Sequence, residues 1–213
     1  MKTIKQFFTR KSDMNDNTKI VLAALLVAMF FLFNRIIPGI HTPGISLAAT
    51  FVPVILAAFI MGPMWAMAVG GIGDILSAVL VPRGPYFFGF TLSWMLAGFI
   101  YGLFCYRGRN KSNRVLLVNL IIASLIVLVA ERILLSSVWV SIFQRMHIDS
   151  LPFLDAPEPF MVIFWARVIA FSILLPFQVA IMWTITRFLR NPIERFLVIE
   201  VEEPEETNQN DKD

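Results

Sequence analysis

Cysteine is all but missing from this sequence. Cys105 stands alone, which excludes a disulfide framework and any multi-cysteine metal site. Histidine is nearly as rare: His41 and His147 both fall outside the apolar runs, so no catalytic pair or metal-ligand set forms at membrane depth. No G-x-x-x-x-G-K-[ST] stretch occurs, which excludes ATP hydrolysis through a phosphate-binding loop of that type. Charge is scarce too. Asp, Glu, Lys and Arg make up 15% of 213 residues, too little polar surface for a soluble domain of this length. The expectation is a protein that is not an enzyme and that carries no metal and no cofactor.

What the sequence has in abundance is apolar side chains, 57% of the total, with a mean hydropathy of +0.72. Roughly 20 apolar residues cross a bilayer core, fewer when flanking side chains snorkel. Six segments meet that demand, at 19–37, 45–61, 64–81, 86–106, 113–138 and 158–186. Gly62-Pro63 reads as a tight turn between the second and third, because proline suits the first turn of a new helix. The predicted fold is therefore an all-α integral membrane protein with six transmembrane helices. A polar, basic segment at 1–18 precedes the membrane domain at 19–190, and an acidic, disordered tail follows at 191–213. The first segment has no small-residue cleavage site after an apolar run, so it does not read as a removable signal peptide.

Orientation follows from lysine and arginine. Lys2, Lys5, Arg10, Lys11 and Lys19, then Arg107, Arg109, Lys111 and Arg114, then Arg187, Arg190 and Arg195 fall on one side of a six-span layout. Only Arg35, Arg83 and Arg145 fall on the other. Twelve against three predicts that both termini are cytoplasmic. Basic residues at the edges of apolar runs also serve topology rather than nucleic acid, so the expected surroundings are lipid bilayer and no nucleic acid.

Four ionisable residues lie inside the predicted spans: Asp74, Glu131, Arg132 and Arg167. Each costs about 2.5–3.5 kcal/mol to insert and so belongs in the protein interior or a wet cavity. At 1.5 Å per residue, Asp74 sits about 10 Å and Arg167 about 13 Å below the outer surface. All four fall in the outer half. They either tie spans three, five and six together as an ion-pair cluster or line a polar pocket open to the outside.

Two features sit at the same level. Aromatic side chains crowd the outer span ends, with Tyr86, Phe87, Phe88, Phe90 and Trp94 on the fourth, Trp139 on the fifth, and Phe160 and Trp165 on the sixth. An interfacial belt uses the same residues, so the deepest, Trp94 and Trp165, are the better pocket candidates. The connector 34–44 contains Pro38, Gly39, His41, Pro43 and Gly44, a mixture of stiff and free joints that suits a gate. Ala24 and Ala28, four apart on the first span, form a smooth stripe on which another helix can pack.

The stretch 61–102, MGPMWAMAVGGIGDILSAVLVPRGPYFFGFTLSWMLAGFIYG, resembles the folate-type substrate-binding (S) components of energy-coupling factor (ECF) vitamin transporters. The shared features are a Gly-Pro turn, a Gly-rich helix bearing an Asp, a Pro-x-Gly loop and a Gly-Phe-Thr-Leu-Ser helix. Ala24 and Ala28 are similar to that family's alanine motif, which contacts the transmembrane coupling subunit. The resemblance implies an S subunit in a bacterial plasma membrane that captures folate from outside. It implies delivery inward together with a coupling subunit and two ATP-binding subunits, with the first loop as gate. It also implies Asp74 accepting from the pterin N–H groups, with Phe88, Trp94 or Trp165 stacking on the ring. Arg35 or Arg83 would meet the glutamate tail. Arg132, Arg167 and Trp139 complete the expected site, with the pairing among the charged groups left open. Riboflavin, pyridoxine or pantothenate as the vitamin, or a stand-alone carrier, are the competing possibilities.

Overall fold

The computed structural model describes residues 15–36, 40–42, 45–47, 49–82, 86–108, 112–146 and 159–206, with side chains at 37–48, 107–111 and 190–206 not described. Helix α1 (Asp16–Phe31) starts at Asn15, whose side chain accepts from the Asp16 N–H. It runs into a π-helical turn, Leu32–Ile36. Strands β1 (Ile40–Thr42) and β2 (Ile45–Leu47) pair antiparallel, with His41 opposite Ser46. Five helices follow: α2 (Phe51–Ile60), α3 (Pro63–Leu80), α4 (Phe88–Gly108), α5 (Asn113–Val127) and, beyond a second π-helical segment at Leu128–Leu135, α6 (Ser136–Met146). Last comes α7 (Phe160–Glu206).

Five of these helical stretches are long and apolar enough to cross a membrane: Asp16–Ile36, Pro63–Leu80, Phe88–Tyr106, Asn113–Met146 and Phe160–Leu189. The stretch expected as a second span at 45–61 is the exception. Its first residues pair in a hairpin, where β-branched Ile and Thr are favoured, leaving α2 with ten residues, or about 15 Å. Pro53, Val54, Ile55, Ala57, Ala58 and Phe59 of α2 are buried, so protein rather than lipid covers it. The expected turn at Gly62 is present: its φ of 94° suits glycine, and Pro63 opens α3.

Two further expectations change. The fifth span does not end at 138 but continues to Met146, because nothing in Ser136–Met146 breaks a helix. The sixth passes 186 and continues through the start of the expected tail to Glu206. Arg and Glu in this stretch are straight-chain helix formers, and a glutamate-rich sequence does not by itself end a helix. Residues 207–213 lie outside the described residues.

Contacts between helices fix their directions. Gly102 meets Pro63, Gly98 meets Ala66, Gly70 meets Trp94 and Thr91 meets Asp74, so α3 and α4 run antiparallel in one continuous seam. Glycine is needed there because a Cβ on Gly98 or Gly102 would strike backbone atoms. Phe30 against Gly73 and Arg35 against Ser77 make α1 parallel to α3. Arg132 against Trp94 and Arg167 against Ser136 reverse α5–α6 relative to α4 and to α7. The bundle thus has a lower end, with Asn15, Gly62 and Asn113, and an upper end, with Pro82, Tyr86, Met146 and Phe160. The apolar core occupies the lower half: Leu26, Ile55, Phe59, Ala66, Val69, Cys105, Leu120 and Met182 are buried there. The intramembrane charges occupy the upper half.

Candidate binding site

Asp74 lies on α3 about 9 Å below its upper end, at 1.5 Å for each of the residues to Leu80. Thr91 Oγ1, in the first turn of α4, donates to Asp74 Oδ2 at 2.6 Å, and Tyr86 OH is hydrogen-bonded to the same Thr91 hydroxyl. One turn above Asp74, toward the upper end of α3, the Ser77 carbonyl accepts from Arg35 Nε at 3.0 Å. The π-helical turn at the end of α1 delivers Arg35 to this spot, where its charge acts on Asp74. A polar chain therefore links α1, α3 and α4 at the upper end.

Trp94 is one turn farther along α4 from Thr91. Its ring meets Phe30 edge-on, with centroids 5.1 Å apart, and carries the Arg132 guanidinium at 4.8 Å. Arg132 Nε is 2.9 Å from Glu131 Oε2 in an ion pair, although no donor among the described residues is aligned on Oε2 as a hydrogen bond. Phe171 of α7 lies 5.5 Å from Arg132 and 5.9 Å from Arg167. Arg167 Nη1 donates to Ser136 Oγ at 2.8 Å. Glu131, Arg132 and Arg167 are thus brought together, and Trp94 stands between them and the Asp74 chain.

A floor closes this region below. Tyr101 is two turns down α4 on the Trp94 face, is buried, and accepts from Gln178 Nε2 at 3.1 Å. Above, Trp139 packs on Phe87 with centroids 5.8 Å apart, and Phe143 joins Phe87 and Phe90. Ser93 Oγ, Ser137 Oγ and Trp139 Nε1 are buried at this level with no hydrogen-bond partner among the described residues.

Not every expected wall residue joins the group. Phe88 is 54% and Trp165 58% exposed. Helical spacing explains both: Phe87, not Phe88, stands two turns above Trp94 on its face, and Trp165 is two residues from Arg167 and so on the opposite side of α7. Arg83, Pro38, Gly39, Pro43 and Gly44 lie outside the described residues, and His41 is described only as backbone in β1. Thr91, Ser136, Phe171 and Phe30 were not among the expected site residues. Thr91 had a signal, being one turn from Trp94 in the Gly-Phe-Thr-Leu-Ser stretch. Ala24 and Ala28 are exposed on α1 beside Ile20, Val21 and Leu25, which are 58%, 71% and 65% exposed.

Residues 18–186 match the family described as ECF transporter, substrate-specific component. The chain belongs to that family. Among curated relatives of this S component is a folate transporter, FolT, of Clostridium novyi (strain NT), 33% identical over 57% of the chain and 67% of the relative. Another, also named folate transporter FolT, from Leuconostoc mesenteroides subsp. mesenteroides, is 31% identical over 78% of the chain and 83% of the relative. A crystal structure of FolT bound with folic acid is similar with a TM-score of 0.65 and 29% identity, covering 80% of this chain and 95% of that one. The S component of a bacterial ECF transporter, at 22% identity and a TM-score of 0.52, shares the fold over 86% of this chain and 99% of its own. The S component described here is accordingly a multi-helix membrane protein of a transporter family.

Proposed function

We propose that this S component captures folate at the outer face of a bacterial plasma membrane. It hands folate inward in complex with a transmembrane coupling subunit and two ATP-binding subunits. The observation that carries the ligand assignment is the chain Tyr86–Thr91–Asp74 next to a tryptophan bearing Arg132. A pterin offers adjacent N–H donors and a flat ring, and Asp74 and Trp94 are the acceptor and stacking surface for them. Ser93 Oγ, Ser137 Oγ and Trp139 Nε1 at the same level, unpartnered among the described residues, add hydrogen-bonding capacity for the rest of the molecule. Similarity to proteins named folate transporters supports the same ligand. Arg35, with Arg83, meets the anionic tail at the mouth, and the β1–β2 hairpin, including His41, serves with Pro38, Gly39, Pro43 and Gly44 as the gate.

In this scheme α2 is a short, protein-covered sixth crossing, so both termini lie in the cytoplasm, in keeping with the distribution of Lys and Arg. The exposed Ala24–Ala28 stripe is the docking line for the coupling subunit. Calorimetric titration of the purified chain with folate tests the ligand directly. Saturable one-to-one binding of folate, with riboflavin, pyridoxine and pantothenate giving no heat, is the expected result. Binding of one of those three in place of folate would overturn it.

A further inference from the structure

Glu131 is 5% exposed, the most buried acid among residues whose side chains are described, and the binding scheme above gives it no contact with ligand. Its geometry is unusual. Consecutive residues on an α-helix do not face one another, yet Glu131 and Arg132 form an ion pair at 2.9 Å. The π-helical segment Leu128–Leu135 makes this possible by widening the turn, the kind of insertion that recurs at functional sites. Glu131, Arg132 and Ile133 all point inward as a result, with Glu131 and Ile133 buried and the Arg132 side chain 19% exposed.

Among the described residues, two guanidinium groups face this one carboxylate. Arg132 and Arg167 both lie against the Phe171 ring, and both act electrostatically on Glu131. One carboxylate therefore sits between two guanidinium groups that share an aromatic ring. Ser136 engages Arg167 through Nη1, whereas Arg132 is held by Glu131 at Nε and by Trp94 and Phe171 at its face. Without the carboxylate, two like charges on one ring repel in a medium that screens poorly, and Arg132 is the one free to leave.

We infer that Glu131 is a positioning residue: placed by the π-helical turn between Arg132 and Arg167, it holds Arg132 on Trp94 and so fixes the ring on which the ligand stacks, without touching the ligand itself. The inference rests on the assignment of this site to folate.

The test is a double-mutant cycle on the full chain, read by calorimetric titration with folate. Glu131→Gln and Arg132→Gln are each expected to weaken binding by about 10- to 100-fold, and the double variant by no more than Arg132→Gln alone, since residues acting through one another are not additive. Losses that multiply, or unchanged affinity in Glu131→Gln, would overturn the inference. Loss of folded protein alone lowers the binding stoichiometry rather than the affinity, which separates a merely structural role. If Glu131→Gln does not purify as a monodisperse peak, Glu131→Asp, which keeps the charge one methylene short, replaces it in the cycle. Tryptophan emission keeps the two proposals apart. Glu131→Gln must shift the emission of the ligand-free protein, and the shift must vanish in a Trp94→Phe background. A wild-type chain that binds no folate sinks the ligand assignment, whereas an emission spectrum indifferent to Glu131 sinks the positioning role.

Discussion

Thr91 donates to Asp74 Oδ2 at 2.6 Å across the seam where α3 and α4 run antiparallel. The hydroxyl is itself bonded to Tyr86, so the carboxylate is aimed by a two-step chain rather than by a rotamer preference alone. Asp74→Asn keeps the shape and removes the charge that accepts two N–H groups. Charge-assisted hydrogen bonds exceed neutral ones by about 1–2 kcal/mol each, so folate affinity should fall by roughly two orders of magnitude. Thr91→Val, which only frees the carboxylate to rotate, should cost about 10-fold. Both variants should elute normally from a sizing column, and calorimetry on that peak checks the ordering. An Asp74→Asn protein with native affinity would remove Asp74 from the site.

The glycines of α3 and α4 divide by what they face. Gly73 opposes the Phe30 ring, with 2.7 Å between an added Cβ and the ring carbons, and Phe30 in turn packs edge-on against Trp94. Gly102 of α4 faces the Pro63 backbone at the lower end of the bundle, two turns below Trp94. Gly102→Ala should therefore lower thermal stability, by about 1–3 kcal/mol of overpacking, while the folded fraction binds folate with native affinity. Gly73→Ala should also weaken affinity, because displacing Phe30 displaces the stacking ring. Melting curves and titrations on the same samples separate the two effects. Equal affinity in both variants would deny that Phe30 supports the site.

Much of this arrangement was legible from residue types alone. Asp74, Glu131, Arg132 and Arg167 had to be sheltered because hydrocarbon does not solvate charge, and the structure does gather three of them beside Trp94. Gly62-Pro63 announced its turn through two residues whose backbone preferences are local. Where hydropathy failed, the decisive contacts were not local. It could not separate the strand Ile45–Leu47 from the helix Phe51–Ile60, since both are apolar and their boundary depends on pairing with Ile40–Thr42. It also could not foresee the two π-helical turns, which carry Arg35 and Arg132 into the site, because no residue pattern marks a widened turn. Phe88 and Trp165, singled out by depth, lie on exposed faces, because depth along a helix does not say which way a residue points around it.

Orientation is open to direct chemical test. Cys105 is buried and is the sole cysteine, so Cys105→Ala provides a background without thiols. Single cysteines are then introduced at Asn17, Pro82 and Ser112, all exposed positions. With six crossings and cytoplasmic termini, a membrane-impermeant maleimide should label Pro82→Cys in intact cells, and Asn17→Cys and Ser112→Cys only after permeabilisation. Labelling of both Asn17→Cys and Pro82→Cys from outside would overturn the cytoplasmic N-terminus and the parallel run of α1 and α3.

Ala24 and Ala28 offer the sharpest separation of binding from transport. Both are exposed on α1, flanked by Val21 at 71% and Leu25 at 65% exposure, whereas the ligand groups lie on the far side of Phe30 and toward the upper end. Small residues spaced four apart let two membrane helices approach closely, and a leucine at either position holds the partner backbone off. Ala24→Leu and Ala28→Leu should therefore bind folate as the native chain does. In vesicles containing the coupling subunit and both ATPases they should lose most ATP-driven folate uptake, the double variant by about 10-fold, since leucine at two successive turns keeps the partner helix from close approach. Parallel titration and uptake on one preparation decide the matter: full uptake by the double leucine variant would move the coupling surface to another face of the bundle, while lost binding would tie α1 packing to the site itself.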